Sequence, residues 1–158
     1  MSSIFEEKED PLYRFVTFRL ADETYGINVM QVQEVLRMTD VAPVPGAPHY
    51  VMGIINLRGN VVTVLDTRML LNLEAREITE NSRIMIIEAG KIAVGLLVDS
   101  VAEVLNVSAS QIDPPPTLGK DENTRYIQGV FSKDGEITIF IDLTKLVTEE
   151  DRDAIGAF

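Results

Sequence analysis

The chain has 158 residues, 46% of them hydrophobic, with no Cys, one His, and 25 Asp and Glu against 14 Lys and Arg, a net charge of −11. That length buries a real core, the lack of Cys excludes disulfides and thiolate chemistry, and a single imidazole leaves the usual transition-metal sites without most of their ligands. The acidic balance argues against a nucleic-acid backbone or an anionic membrane as partner.

The segment Met1 to Asp10 lacks a basic stretch followed by an apolar one, and no run approaches the ~18 apolar residues of a membrane span, so the chain is expected in the cytoplasm with residues 1–11 as a flexible N-terminus. Tyr13 to Leu20 and Tyr25 to Val29 read as a hairpin about Ala21-Asp22-Glu23-Thr24. Asn28 with Gln31 resembles a helix cap ahead of Val29, Val32, Val35 and Leu36. Gly53 to Asp66 reads as a second hairpin about Arg58-Gly59, with Asp66 capping a short helix over Thr67 to Leu71. Arg83 to Glu88 and Ile92 to Val98 make a third hairpin. Asp113 to Asn123, holding three consecutive prolines, is an exposed loop. Gly129 to Asp142 turns about Asp134-Gly135, a strong tight-turn pair, and Asp142 caps Leu143 to Leu146. Thr148 followed by Asp151 starts a terminal helix through Ala154.

These elements come twice. Gly26, Val29, Val32, Glu34, Val35, Leu36 and Pro45 are matched, each 69 residues later, by Gly95, Val98, Val101, Glu103, Val104, Leu105 and Pro114. Tyr50, Gly53, Gly59, Asp66 and Leu70 are matched 76 residues later by Tyr126, Gly129, Gly135, Asp142 and Leu146, so the second copy carries an insertion of 7 residues around Pro115 to Asn123. A duplicated unit with short Val-, Ile- and Thr-rich segments predicts a mostly β fold of two small packed barrels. The approximate lobes are 12–75 and 80–147 within one unit spanning 12–158. Strand exchange between them is permitted by the repeated hairpins.

Catalytic chemistry finds no footing. His49 lies in a Pro- and Gly-rich segment without a nucleophile to serve, and neither a dinucleotide fingerprint nor a phosphate-binding loop occurs. Asp66 and Asp142 invite an acid–base pair, but each ends a strand and opens a short apolar run, as a capping Asp does. No catalytic residue, metal or cofactor is expected. Val29, Val35, Val98 and Ile139 read as core. Arg58 stands apart: its counterpart is Asp134, so the hairpin does not require a guanidinium there. An Arg at a loop tip suits either solvent or a partner's carboxylate or carbonyls.

The string from Tyr25 to Leu36, then Pro43-Val44-Pro45, then Tyr50 to Asp66 with its Asn56-Leu57-Arg58-Gly59 centre, resembles the CheW family of bacterial chemotaxis coupling proteins. The likeness continues through Val94 to Leu105 and Tyr126 to Val130 to Asp142. The resemblance implies two SH3-like five-stranded β-barrels packed together, with a few short helices including a C-terminal one. It implies a non-catalytic adaptor that joins the cytoplasmic tips of chemoreceptors to the regulatory domain of the histidine kinase CheA, recruited to membrane-associated receptor arrays and meeting other CheW copies in rings. By the same resemblance the receptor-contacting set falls on Val32, Glu34, Gly53, Arg58, Gly59, Val101 and Val104, and a kinase or array contact on Asp113 and Leu118. The alternative from another class is a small-molecule sensor or enzyme using the groove between the lobes.

Overall fold

In the computed structural model, residues 9–115 and 126–146 are described. Strands β1 (Leu12–Leu20) and β2 (Glu23–Asn28) form the opening hairpin, and a single 3-10 turn (Val29–Gln31) leads to β3 (Val32–Arg37). The hairpin β4 (Val51–Leu57) and β5 (Asn60–Asp66) is closed by α1 (Thr67–Leu70). The second copy runs β6 (Arg83–Ala89), β7 (Ile92–Val98), β8 (Ser100–Ser108), a 3-10 turn (Ala109–Gln111), β9 (Ile127–Lys133), β10 (Glu136–Ile141) and α2 (Leu143–Leu146). The expected terminal helix from Thr148 lies outside the described residues. Asp10 accepts from Ser110 N and Oγ at 3.0 and 2.8 Å, so the chain is tied down before β1, within the segment expected to be free.

The helix expected from Asn28 is not there. Asn28 does cap, its Oδ1 accepting from Met30 N at 2.9 Å, but only a 3-10 turn follows before the chain extends as β3. Apolar positions at 29, 32, 35 and 36 fit a helical period, yet pairing with β6 wins, and the β-branched Val32 and Val35 suit a pleated strand. This strand and its counterpart β8 complete the five strands per sheet.

The two sheets have the orders β8-β1-β2-β10-β9 and β3-β6-β7-β5-β4. Neither follows the division into 12–75 and 80–147: the opening hairpin of each copy sits in the sheet of the other. The register is duplicated along with the sequence. Gly26 faces Thr17 on one side and Phe140 on the other, while Gly95 faces Ile86 and Val64, the same pairs moved by 69 and 76 residues. The exchanged hairpins enter through parallel pairing, β2 with β10 and β7 with β5. Each sheet curls in SH3-like fashion, and the chain that follows one outer strand meets the other outer strand through one bridge, Ala42 beyond β3 with Ile54 of β4 and Asp113 beyond β8 with Val130 of β9.

Each curled sheet encloses its own small core, Phe15, Val107, Phe131 and Phe140 in one and Ile55, Val62, Val64, Ile84 and Ile86 in the other. The largest cluster lies between them and joins Phe18, Leu20 and Ile27 of the first sheet to Leu65, Met85, Ile87 and Leu96 of the second. Strand β6 therefore reads Ile84-Met85-Ile86-Ile87 without alternation, because both its faces are buried.

One polar link crosses the same boundary. Asp66 Oδ1 caps α1 through Arg68 N at 3.0 Å, as the sequence predicts, and this fixes Arg68 so that its buried guanidinium grips Asp99 at the end of β7. Nε reaches Asp99 Oδ1 at 2.8 Å, Nη2 bonds Oδ2, and Nη1 donates to Glu74 O at 3.0 Å. Asp99 Oδ2 also accepts from Ala21 N at 2.8 Å, in the β1–β2 turn. Burial pushes the Asp99 carboxyl up, but the bonds from Arg68 and Ala21 outweigh it and hold the group below its ordinary range. Its contribution to stability is thus complete above the ordinary carboxylate range and is lost as the pH falls through the lowered folded value. Urea melts between about pH 6 and pH 3 are expected to show a steep acid limb. Asp99→Asn, which strands the Arg68 charge, should lower stability at neutral pH and flatten that limb.

Candidate partner-binding site

Strand β3 presents two faces with different chemistry. A bulge between Val32 and Glu34 sets Val32, Val35 and Arg37 opposite Ile87, Met85 and Arg83, and Glu34 and Leu36 opposite Ile86 and Ile84. The first face looks toward the inter-sheet cluster and the second toward the sheet's own core.

On the second face, Glu34 meets Arg58 at the tip of the β4–β5 hairpin. Arg58 Nη2 lies 2.8 Å from Oε1 and Nη1 3.2 Å from Oε2, a two-pronged pair on the surface. The bond to Glu34 raises the guanidinium's already high pKa further. Leu57 pairs with Asn60, leaving Arg58-Gly59 as a two-residue turn with φ of 52° and 88°. Asp134-Gly135 repeats it at 53° and 80°. Both angles are those of a type I′ turn, whose first position favours Asn, Asp or Gly, so Asp134 suits its place while Arg58 does not. Asn56 Oδ1 accepts from Gly59 N at 2.9 Å and stiffens the loop that carries Arg58.

On the first face, Val32 and its counterpart Val101 in β8 are half-buried against the inter-sheet cluster. Val104, opposite Val16 in β1, is 43% exposed, and Val35, which occupies the equivalent place in β3, is 41% exposed. Val35 was expected in the core. It is uncovered because edge strand β3 has a neighbour on one side only. Val98 is buried and Val29 and Ile139 pack on the cluster's margin.

The structure thus joins Glu34, Arg58 and Gly59 directly, and sets Val32, Val101 and Val104 along two equivalent strand edges. Gly53 differs from both groups. It is buried in β4 at φ +155°, and a Cβ there would lie 2.2 Å from Ala42 O, so its lack of a side chain lets the chain after β3 bridge the sheet. Asp113 is exposed, with its backbone paired to Val130, and Leu118 lies outside the described residues. Sequence reasoning missed Val35 as a surface residue and gave no role to Arg37, whose placement follows only once the β3–β6 register is known. Among the described residues there is no group of three His, Cys, Asp or Glu side chains placed to hold a metal, and no helix is long and apolar enough to cross a membrane.

A family profile described as CheW-like domain matches residues 14–151. The chain belongs to the CheW-like family. The chemotaxis protein CheW of Rhizobium meliloti is 34% identical over 139 residues, covering 88% of this chain and 90% of that one. The chemotaxis protein CheW of Klebsiella aerogenes is 31% identical over 137 residues, covering 87% and 82%. The crystal structure of the scaffolding protein TtCheW from Thermoanaerobacter tengcongensis superposes with a TM-score of 0.80 at 32% identity, covering 89% of this chain and 96% of the other. The chain is accordingly a CheW-family scaffold protein of chemotaxis.

Two variants separate the fold from the surface. Gly53→Ala is expected to destabilise by on the order of 1–3 kcal/mol in chemical denaturation, because a side chain is forced against backbone. Arg58→Asp copies the other turn, suits its backbone angle, and replaces an exposed ion pair with two exposed, solvent-screened carboxylates, so its melting temperature should be essentially that of the parent.

Proposed function

We propose that this chain is a non-catalytic adaptor that couples chemoreceptor tips to the regulatory domain of CheA in the cytoplasm, in membrane-associated arrays where it also meets other CheW copies. The observation that carries this reading is Arg58, a guanidinium held by Glu34 in a backbone conformation that the twin hairpin fills with Asp134. A residue kept against local preference points to a task outside the hairpin. Val32, Val101 and the exposed Val104 supply the apolar part, over which a receptor helix lays its apolar stripe while Arg58 fixes register through a carboxylate or carbonyl. Gly53 and Gly59 act by shaping the β4–β5 hairpin. Asp113, with Leu118 beyond it, belongs to the proposed kinase or array contact.

The test is a titration of the intact protein against the CheA regulatory domain and, separately, a receptor-tip fragment. Both should bind, with Arg58→Asp losing the receptor fragment and keeping the kinase domain. Val104→Glu should weaken the receptor fragment by about tenfold, as expected for an anchor near the centre of an interface. Failure of the parent to bind either partner overturns the reading.

A further inference from the structure

The first face of β3 ends in an electrostatic anomaly. Arg37 and Arg83 are directly opposite each other across the β3–β6 ladder, which places their Cβ atoms about 5 Å apart on one face. Like charges so placed destabilise a sheet. The Arg83 guanidinium is held locally, its Nη1 donating to the backbone carbonyls Glu80 O at 2.9 Å and Ser82 O at 2.8 Å, and no described carboxylate pairs with its charge. The Arg37 side chain is exposed and makes no hydrogen bond or ion pair to any described residue, in a chain that carries 25 Asp and Glu. The two ion pairs among the described residues engage Arg58 and Arg68 instead.

The duplication supplies an internal control. The equivalent ladder position in the other sheet pairs Arg14 with Asn106, so the fold is satisfied by one cation and a neutral amide. The second guanidinium at Arg37 is therefore an addition that the architecture does not need. It lies on the same strand face as Val32 and Val35, two residues beyond the exposed Val35, and extends an apolar edge into a cationic end.

We propose that Arg37 and Arg83 form a carboxylate clamp that receives an acidic side chain of the receptor tip, set about one helical turn beyond the apolar residue that covers Val35. This rests on the receptor-coupling reading above and assigns that site a further specificity contact. Charge complementarity favours it: two guanidiniums on one face of a −11 chain attract a carboxylate, and docking one relieves their mutual repulsion. The receptor is favoured over the kinase because the clamp continues the strand face that carries Val32.

The experiment measures the affinity of the intact parent, Arg37→Lys, Arg37→Gln and Arg37→Glu for a receptor-tip fragment and for the CheA regulatory domain, at two salt concentrations, with melting curves alongside. Arg37→Glu is expected to bind the receptor fragment about tenfold more weakly with a reduced salt dependence, Arg37→Gln to fall between, and Arg37→Lys to stay nearest the parent. Kinase-domain affinity should not change, and Arg37→Gln should melt at or above the parent's temperature once the like charge is gone. Receptor affinity of Arg37→Glu within about twofold of the parent overturns the clamp while leaving the coupling reading intact. So does a loss that falls on the kinase domain. A parent that does not bind the receptor fragment overturns both.

Discussion

The parallel pairing of β2 with β10 and of β7 with β5 is the constraint from which the rest follows. Each joins a hairpin from one copy to a hairpin from the other, so neither copy can complete a sheet alone. The exchange also explains where the hydrophobic mass sits. The hairpins that cross over carry Phe18, Leu20, Ile27, Met85, Ile87 and Leu96, and the largest core is built between the sheets. The Arg68–Asp99 pair, with Ala21 bound to the same carboxylate, secures the boundary with directional bonds where packing alone would allow sliding.

A pseudo-symmetric frame makes each asymmetry informative, since the backbone demands of one copy are already met by the residues of the other. Asp134 fits its turn; Arg58, at the same angle, does not, and is held by Glu34. Asn106 beside Arg14 leaves one positive charge where Arg37 beside Arg83 makes two. Both departures fall on the β3 side of the molecule, at the two faces of a single edge strand. Val35 and Val104 agree between copies and are both exposed, so the apolar edges are part of the shared design while the charges are particular to one half.

Much of this architecture is legible in the sequence, because turn chemistry and duplication are local or nearly so. Asp134-Gly135, Asp66 as a cap, and the four hairpins need only a few residues to declare themselves. Strands β3 and β8 do not, since Val29, Val32, Val35 and Leu36 satisfy a helical period as well as a strand, and the decision comes from β6 and β1, which lie far along the chain. The same distance hid part of the site. The sequence singles out Arg58 by contrast with Asp134, but the Glu34 partnership, the exposure of Val35 and the meeting of Arg37 with Arg83 all require the register between strands. The resemblance to CheW places Gly53 in the receptor-contacting set, and the structure shows a backbone reason for a glycine there, the close approach of Ala42 O.

The exchanged hairpins also set an order of events during synthesis. When β1 and β2 leave the ribosome their neighbours on both sides, β8 and β10, are still unmade, and the sheet closes only after Ile141 has emerged. For most of translation the first hairpin must hold Phe18, Leu20 and Ile27 without the strands that will cover them. The β6–β7 hairpin is in the opposite position, because β3 and β5 already wait for it. The sheet built on β6 and β7 can therefore assemble first and offer its apolar face as a template, and the earliest part of the chain becomes the last to be enclosed.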